Sequence, residues 1–210
     1  MKAPTVPSTL AWAILSLSAL AVGIASLRYA LPAMPFPLDL PSLQLSRHAF
    51  ILHAVSASLA LMLGPLQFVV ALRHRFAAWH RWTGRVYAGA IAVAWASSLP
   101  LAMNAMTGTV AALGFLVLGL AWMMATALGV VHAMQRRFAE HRRWMVRSYA
   151  LTAAAITLRI YLGISIATGV DVQLSYPFIA WLCWVPNALA AEWYLRRKSR
   201  LQRHQPLQAL

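Results

Sequence analysis

Long apolar runs, separated by short basic or proline-containing stretches, dominate the pattern of hydrophobic and polar positions along this chain. Each run has about 18 residues or more, which is the length at which an apolar helix crosses the hydrocarbon core of a bilayer. The pattern predicts an all-α membrane protein with six transmembrane helices in a single bundle over residues 1–210. The six runs cover residues 10–27, 49–72, 86–103, 109–134, 148–170 and 172–191.

Composition supports this class of protein and narrows the chemistry. Hydrophobic residues make up 61% of the chain and charged residues 10%, whereas soluble domains carry about 25% charged residues. The net charge of +14 does not indicate a nucleic-acid partner, because the basic residues cluster beside the apolar runs, where membrane topology places them. The lone Cys183 excludes an intramolecular disulfide and is expected to be a packing residue.

The N-terminal part of the chain leaves a choice open. The run 10–27 follows only Lys2 and could be a signal peptide, with Gly23-Ile24-Ala25 as a small-residue cleavage site. We favour a retained first span, because the run is long for the apolar region of a signal peptide. Residues 28–46 contain four prolines and predict an irregular connection.

The distribution of basic residues predicts the orientation of the protein. If the N-terminus is inside, fifteen Lys and Arg residues fall on the inner side, and only Arg28 and Arg47 fall on the outer side. Because loops rich in Lys and Arg stay in the cytoplasm, both termini are expected there. The last span, residues 172–195, would then lead into a basic cytoplasmic tail, residues 196–210. The inner set consists of Lys2, four arginines in 73–85, five in 136–147 and five residues in 196–203.

One stretch of fourteen residues occurs twice, at an offset of 62 residues, and the chain is organised around it. Eight of the fourteen positions match between residues 75–88 and 137–150. Each copy joins one apolar run to the next, so the repeat predicts two similar hairpins, residues 45–103 and 107–170, related by an axis along the membrane normal. Spans two to five would then form a central four-helix bundle. The recurring residues include Arg81, Trp82, Arg85 and Tyr87 in the first copy and Arg143, Trp144, Arg147 and Tyr149 in the second.

Several short motifs carry a resemblance to a known family. They are Leu52-His53, Gly64-Pro65-Leu66-Gln67-Phe68, His80-Arg81-Trp82 with Gly84-Arg85-Val86-Tyr87, and His141-Arg142-Arg143-Trp144-Met145 with Arg147-Ser148-Tyr149-Ala150. The chain resembles, over residues 45–165, the bacterial membrane-protein family called domain of unknown function 2306. The resemblance implies a bacterial inner-membrane location and brings no established activity. A distant likeness of architecture connects the four-helix core with the two-haem b-type transmembrane cytochromes, but fold alone does not carry function.

Three histidines near the inner ends of the spans are candidate cofactor ligands. His80 begins the third span, His132 ends the fourth and His141 precedes the fifth. A b-type haem takes axial imidazoles from its two sides, and pairs from this set would meet that requirement. The alternative is that the three belong to basic interfacial boxes that only orient the helices. No complete two-haem pattern is present, because His48 and His53 lie about 140° apart on one helix and cannot sandwich one haem.

Arg159 lies inside the fifth run and is the most informative single residue. A mid-span arginine costs about 2.5–3.5 kcal/mol even on a lenient insertion scale, so it usually faces the bundle interior and has a partner. Candidate partners are Asp171, Asp39, helix-end carbonyls or an anionic ligand. His53 is expected at a similar outer depth, and with Gln67 and Arg159 it forms a candidate ligand-binding set.

These features leave three functional hypotheses. The leading one is a redox-type membrane subunit that holds haem b or a quinone near the inner histidines. The second is a binder or transporter of a small or lipidic anion, centred on Arg159 and His53. The third is an accessory membrane protein without a ligand. The sequence contains no phosphate loop, no Cys-based metal pattern and no nucleophilic serine elbow. Glu192 lies four residues before Arg196, a spacing that predicts a local ion pair.

Overall fold

The computed structural model describes residues 9–31, 46–105 and 107–203, and the side chains of 10–31, 46–105 and 107–200. Every regular element in these ranges is helical, so the predicted all-α class is confirmed there. Most of the predicted irregular connection and Asp39 lie outside the described residues. The helices are α1 (Thr9–Leu27), a short 3₁₀ helix (Arg28–Ala30), α2 (Arg47–Gln67), α3 (Val70–Arg75), α4 (Ala77–Met103), α5 (Thr109–Met134), α6 (Phe138–Thr152), α7 (Ala154–Ala167), α8 (Val172–Leu182) and α9 (Val185–Arg203).

Six spans in the described part of the chain are long and apolar enough to cross a membrane, as the sequence predicted. Large apolar side chains cover the outside of the bundle, including Leu120 and Phe178, which are exposed by 56% and 69%. Such faces imply that lipid surrounds the helices. The spans are Leu10–Ala30, Arg47–Gln67, Ala77–Met103, Thr109–Met134, Phe138–Ala167 and Val172–Arg200.

The two ends of the bundle differ in charge. We call the end that carries α3 and the turn at residues 135–137 the basic end, because the arginine-rich loops lie there. The other end, where α4 ends and α5 begins, is called the opposite end. Exposed indole rings lie towards the basic end, on Trp79, Trp82 and Trp193, which is the arrangement of an interfacial aromatic belt.

The last two spans each consist of two helices. α6 passes into α7, and α8 ends shortly before α9 begins. A proline within an apolar run, such as Pro186, predicts a bend in the helix, and α9 begins directly before this residue. Pro186 thus lies in the first turn of α9, where the backbone N–H groups have no partner within the helix in any case. The carbonyl oxygen of Cys183 at the break accepts hydrogen bonds from Thr157 Oγ1 at 2.5 Å and from Asn187 Nδ2 at 3.2 Å. Internal partners therefore satisfy the break and tie α7 to the last span.

Helix pairing follows chain order and relies on small residues. α2 packs mainly against α4, α5 against α6, and α1 against α2, while α8 contacts α5 and α7. Ala60, Ala90, Ala94 and Ala125 are all buried in the main core cluster. Small side chains of this kind let helices approach closely in a membrane, where apolar burial against lipid gives little driving force.

Gly64 marks a close contact between α2 and α6. A Cβ atom at this position would overlap ring carbons of Tyr149. The ring is held by its neighbours, with centroid distances of 5.8 Å to Phe68 and 6.5 Å to Trp12. The Tyr149 hydroxyl is buried and has no hydrogen-bond partner in the described part of the chain. The position therefore requires a residue without a side chain.

A buried network of hydroxyl groups joins α4, α5 and α6. The hydroxyl of Tyr87 lies 2.9 Å from Ser148 Oγ and 3.0 Å from Thr152 Oγ1. Trp122 Nε1 donates to Thr152 Oγ1 at 2.8 Å, and Thr126 Oγ1 shares a hydrogen bond of 2.8 Å with Ser148 Oγ. Because these side chains bond one another, their polar groups are satisfied away from water.

The two copies of the repeat share one local contact. The guanidinium carbon of Arg85 lies 6.0 Å from the ring centroid of Trp82, and that of Arg147 lies 4.5 Å from the centroid of Trp144. Both pairs have the cation–π arrangement. Arg81 is exposed. Superposition of the two hairpins stays a prediction.

Ion pairs connect the second copy of the repeat to its surroundings. Arg147 Nε donates to Glu192 Oε1 at 2.5 Å and Nη2 donates to Oε2 at 3.2 Å, so α6 is tied to α9. The local pair of Glu192 with Arg196 that the spacing predicted is therefore replaced by a bond between helices. Arg143 donates to Glu140 Oε1 at 3.1 Å within the first turns of α6.

Candidate functional site

One cavity lies in the half of the bundle nearest the opposite end. It has a volume of about 280 Å³ and is bounded by α1, α2, α4, α5, α6, α7 and α8. Most of its wall is apolar, from side chains such as Phe115, Leu118 and Leu158. A mainly apolar cavity with a few convergent polar groups is the usual form of a small-molecule site. The polar lining consists of Ser26, Tyr29, His53, Ser58, Ser98, Thr152, Arg159 and Tyr176.

Arg159 reaches the cavity from α7, and its hydrogen bonds within the described part of the chain are to neutral groups. Its Nη1 donates to the carbonyl oxygen of Ala155 at 2.8 Å, and its Nη2 donates to Ser26 Oγ at 2.6 Å. No carboxylate of the described residues lies within ion-pair distance of it. The candidate partner Asp171 instead caps α8 by accepting from a backbone N–H of the first turn. The positive charge of Arg159 is therefore not compensated within the described part of the chain.

His53 lines the same cavity from α2. Its Nδ1 lies 2.9 Å from the carbonyl oxygen of Ala94 on α4, and since a carbonyl only accepts, Nδ1 carries the hydrogen and donates it. A neutral ring then presents Nε2 as an acceptor. The structure thus brings His53 and Arg159 to one cavity, as expected from their shared depth, and ligand binding there stays a prediction.

The cavity is continuous with the buried hydroxyl network. Trp122 and Thr152 contribute to its wall, and Trp122 Nε1 donates to Thr152 Oγ1. Thr152 Oγ1 also bonds the Tyr87 hydroxyl. Polar groups in the floor of the cavity are therefore held in place by bonds to α4 and α5, and a ligand would meet a fixed surface.

Gln67, the third member of the predicted ligand-binding set, lies elsewhere. Its Nε2 donates to Thr83 Oγ1 at 2.8 Å near the basic end, where it joins α2 to α4. A Cβ atom on Gly84 would come within 3.1 Å of Gln67 Oε1, so the amide lies against the α4 backbone. At 100° per residue Gln67 falls within about 40° of the helix face of His53, but it lies about four turns further along α2.

Two features of the cavity were not found from the sequence. Ser26 is the side-chain partner of Arg159, although it belongs to α1 at the far end of the chain. Tyr176 and Trp122 form part of the wall. The only sequence signal for Ser26 was its place in the last turn of an apolar run, which does not distinguish it from other small residues there.

The predicted haem ligands show only part of the arrangement that an axial histidine needs. His141 Nδ1 donates to the carbonyl oxygen of Gly129 at 2.7 Å, the bond that orients a metal-ligating ring. The Nδ1 atoms of His80 and His132 are buried without a partner in the described part of the chain. No group of three or more His, Cys, Asp or Glu side chains there could hold a metal ion. A haem with two axial histidines does not need such a group of three, and haem binding at these histidines stays a prediction.

Comparison with known proteins identifies the family. The family described as predicted membrane protein (DUF2306) matches residues 50–195, and the chain belongs to it. The match extends into α9, beyond the region 45–165 expected from the motifs. No curated protein and no solved structure matches the chain.

Proposed function

We propose that this member of the family binds a small amphipathic acid in the membrane, with the acidic head between Arg159 and His53. The observation that carries the proposal is the charge of Arg159, which faces a mainly apolar cavity and has no carboxylate partner in the described part of the chain. A carboxylate or acidic phosphate would supply the opposite charge. The remaining volume suits the apolar body of a small ligand.

The two side chains would have different roles. The guanidinium of Arg159 would donate paired hydrogen bonds to the two oxygens of a carboxylate, the geometry in which arginine binds this group best. His53 would accept the proton of an acid that enters in its neutral form, because Nδ1 already donates to Ala94 and Nε2 is the remaining nitrogen. The proton would leave the ligand O–H for Nε2. The anion formed would then lie between two cations in a medium of low dielectric constant.

Binding of decanoate to the purified protein in nanodiscs tests this proposal. Removal of a hydrogen bond to a charged group costs about 1.5–3 kcal/mol, so Arg159→Gln should weaken decanoate binding roughly 10-fold to 150-fold. Arg159→Lys should have a smaller effect, because it keeps the charge and loses the paired donors. Arg85→Gln is the matched control, since Arg85 lies at the basic end over Trp82. Equal affinity in Arg159→Gln and Arg85→Gln would refute the proposal.

A quinone is the second candidate ligand, in keeping with a redox-type membrane subunit. The acceptor at His53 Nε2 would suit the hydroxyl of a quinol, and an Arg159 N–H would suit the carbonyl oxygen across the cavity. Organic extraction of the purified protein followed by ultraviolet spectroscopy before and after reduction distinguishes the two. A stoichiometric quinone would support this candidate. A Soret band in the absorption spectrum would instead support haem binding at His80, His132 and His141.

We also infer the location and orientation. The family and the excess of basic residues in the inner loops support a bacterial inner membrane with both termini in the cytoplasm. The basic end would then face the cytoplasm, and the cavity of Arg159 would lie towards the periplasm. Phosphatase fusions to the loops between the spans test this orientation.

A further inference from the structure

A second cavity lies at the basic end, far from Arg159. It has a volume of about 240 Å³ and lies between the first three turns of α6 and the last turns of α9. Three cationic side chains line it, Arg142, Arg143 and Lys198, together with the hydroxyl of Ser199. Its apolar wall includes Leu195. The cavity is therefore a basic cleft with an apolar side, and the site proposed above contributes nothing to it.

The cleft carries positive charge that its own residues do not neutralise. Glu140 is the acidic residue of the lining, and it forms an ion pair with Arg143 at 3.1 Å. Arg143 also donates a hydrogen bond to Ser199 Oγ at 3.1 Å. Arg142 and Lys198 have no carboxylate within ion-pair distance in the described part of the chain. Lys198 is partly buried. Two cations of the cleft are therefore left without an anion.

A further cation adds to this positive field. Arg73, in α3, lies within electrostatic range of Lys198, as Arg142 does. Like charges that share a cleft repel one another, and the repulsion is relieved when an anion binds between them. The field therefore favours a compact anion with several acceptor oxygens over a single neutral hydrogen-bonding group.

The depth of the cleft indicates where the anion comes from. Trp193, on the same turns of α9 as the cleft, exposes its indole ring, and exposed tryptophans mark the level of lipid headgroups. Tyr194 and Val146 line the cleft as well. A molecule bound in the cleft at headgroup level would place its negative charge among the cations and its apolar part along the helices. Basic pockets between transmembrane helices bind anionic headgroups in this way.

We infer that the cleft between α6 and α9 binds the phosphate of an anionic phospholipid, with Arg142 and Lys198 as the principal contacts. Arg143 would complete the set of donors around the phosphate oxygens. The Ser199 hydroxyl donates to the carbonyl oxygen of Leu195 at 3.0 Å and accepts from Arg143, so it helps to hold this guanidinium in place. An acyl chain would follow the apolar surface of Leu195 and Val146. Inorganic phosphate has the same head chemistry without the chain, so a test must separate the two sources.

Native mass spectrometry with defined lipids tests the inference. The full chain should retain one phosphatidylglycerol molecule per protein at a saturating level, and phosphatidylcholine should not compete. Arg142→Gln with Lys198→Gln should lower the retained fraction at least tenfold. Arg75→Gln with Arg85→Gln is the matched control, because it removes the same charge at the same end outside the cleft, and it should retain the lipid. The charge-preserving exchange Arg142→Lys with Lys198→Arg should retain it as well and checks folding.

Four results would overturn the inference. Equal loss in the control pair would show attraction to net charge alone, and equal retention of phosphatidylcholine would show that charge plays no part. Lipid adducts that grow without saturation would indicate a general annulus. Competition by millimolar inorganic phosphate, with no preference for the lipid, would assign the cleft to free phosphate.

Discussion

The substitution Gly64→Ala tests the close contact between α2 and α6, because it adds a single methyl group there. The added Cβ would overlap the Tyr149 ring, and the ring has little freedom to move, because Phe68 and Trp12 pack against it. Overpacking of this kind costs about 1–3 kcal/mol. The expected result is a loss of that size in the free energy of unfolding, measured by titration of detergent micelles with sodium dodecyl sulfate.

Gly89→Ala is the matched control. Gly89 lies on an exposed face of α4, and a Cβ atom there meets no atom within 4 Å. Alanine is the better helix former by about 1 kcal/mol in water, so this variant should be as stable as the parent or slightly more stable. A loss in Gly89→Ala equal to that in Gly64→Ala would mean that any added methyl group harms the bundle.

A double-mutant cycle tests whether the ring is the cause. Tyr149→Ala alone should destabilise the protein by about 3–5 kcal/mol, as for other large aromatic truncations. In that background the space beside Gly64 is open, so Gly64→Ala should have almost no further effect. The coupling free energy should then equal the loss seen in the parent. The same loss in both backgrounds would refute the steric explanation.

Three further outcomes follow from contacts described above. Tyr87→Phe should lower the free energy of unfolding by about 0.6–1.7 kcal/mol, the range for buried side-chain bonds in membranes, whereas Tyr149→Phe should leave it unchanged because that hydroxyl has no partner in the described part of the chain. Glu192→Gln should lower it by less than about 1 kcal/mol, and less at high salt, because the bond to Arg147 is partly exposed; an effect that salt does not alter would be unexpected. Alkaline phosphatase fused between α4 and α5, or between α7 and α8, should be active, and activity of a fusion between α3 and α4 would contradict the orientation.

The number and type of spans were predictable because bilayer thickness sets a minimum length for apolar runs. The breaks within the last two spans were harder to predict. Pro186 marked one of them, but nothing in the run from Ser148 to Val170 separates α6 from α7, since alanine and leucine continue a helix equally well. Such a break depends on tertiary partners, as at Cys183, where Thr157 and Asn187 bond the released carbonyl.

The position of Arg159 in the site was predictable from electrostatics. A buried arginine must avoid lipid, which directed Arg159 to the interior, and helix depth directed His53 to the same region. Periodicity failed for Gln67, because one helix face extends over both halves of the membrane. The partner Ser26 could not be derived, since a contact across 133 positions depends on how α1 packs and leaves no mark in local sequence.

The bond between Arg159 and Ser26 has a consequence for biogenesis. Spans enter the membrane in the order of synthesis, so α1 is in place long before α7 leaves the ribosome. The fifth span carries Arg159, the residue of the apolar runs whose transfer into lipid costs the most free energy. Its side-chain partner Ser26 belongs to the first span and is made earlier. Deletion of residues 1–31 should therefore lower the insertion of the fifth span, measured with a glycosylation acceptor placed after Ala167, and unchanged insertion would remove this role. Lowered insertion would make the first span an intramolecular insertion chaperone for a segment that is made 133 residues later.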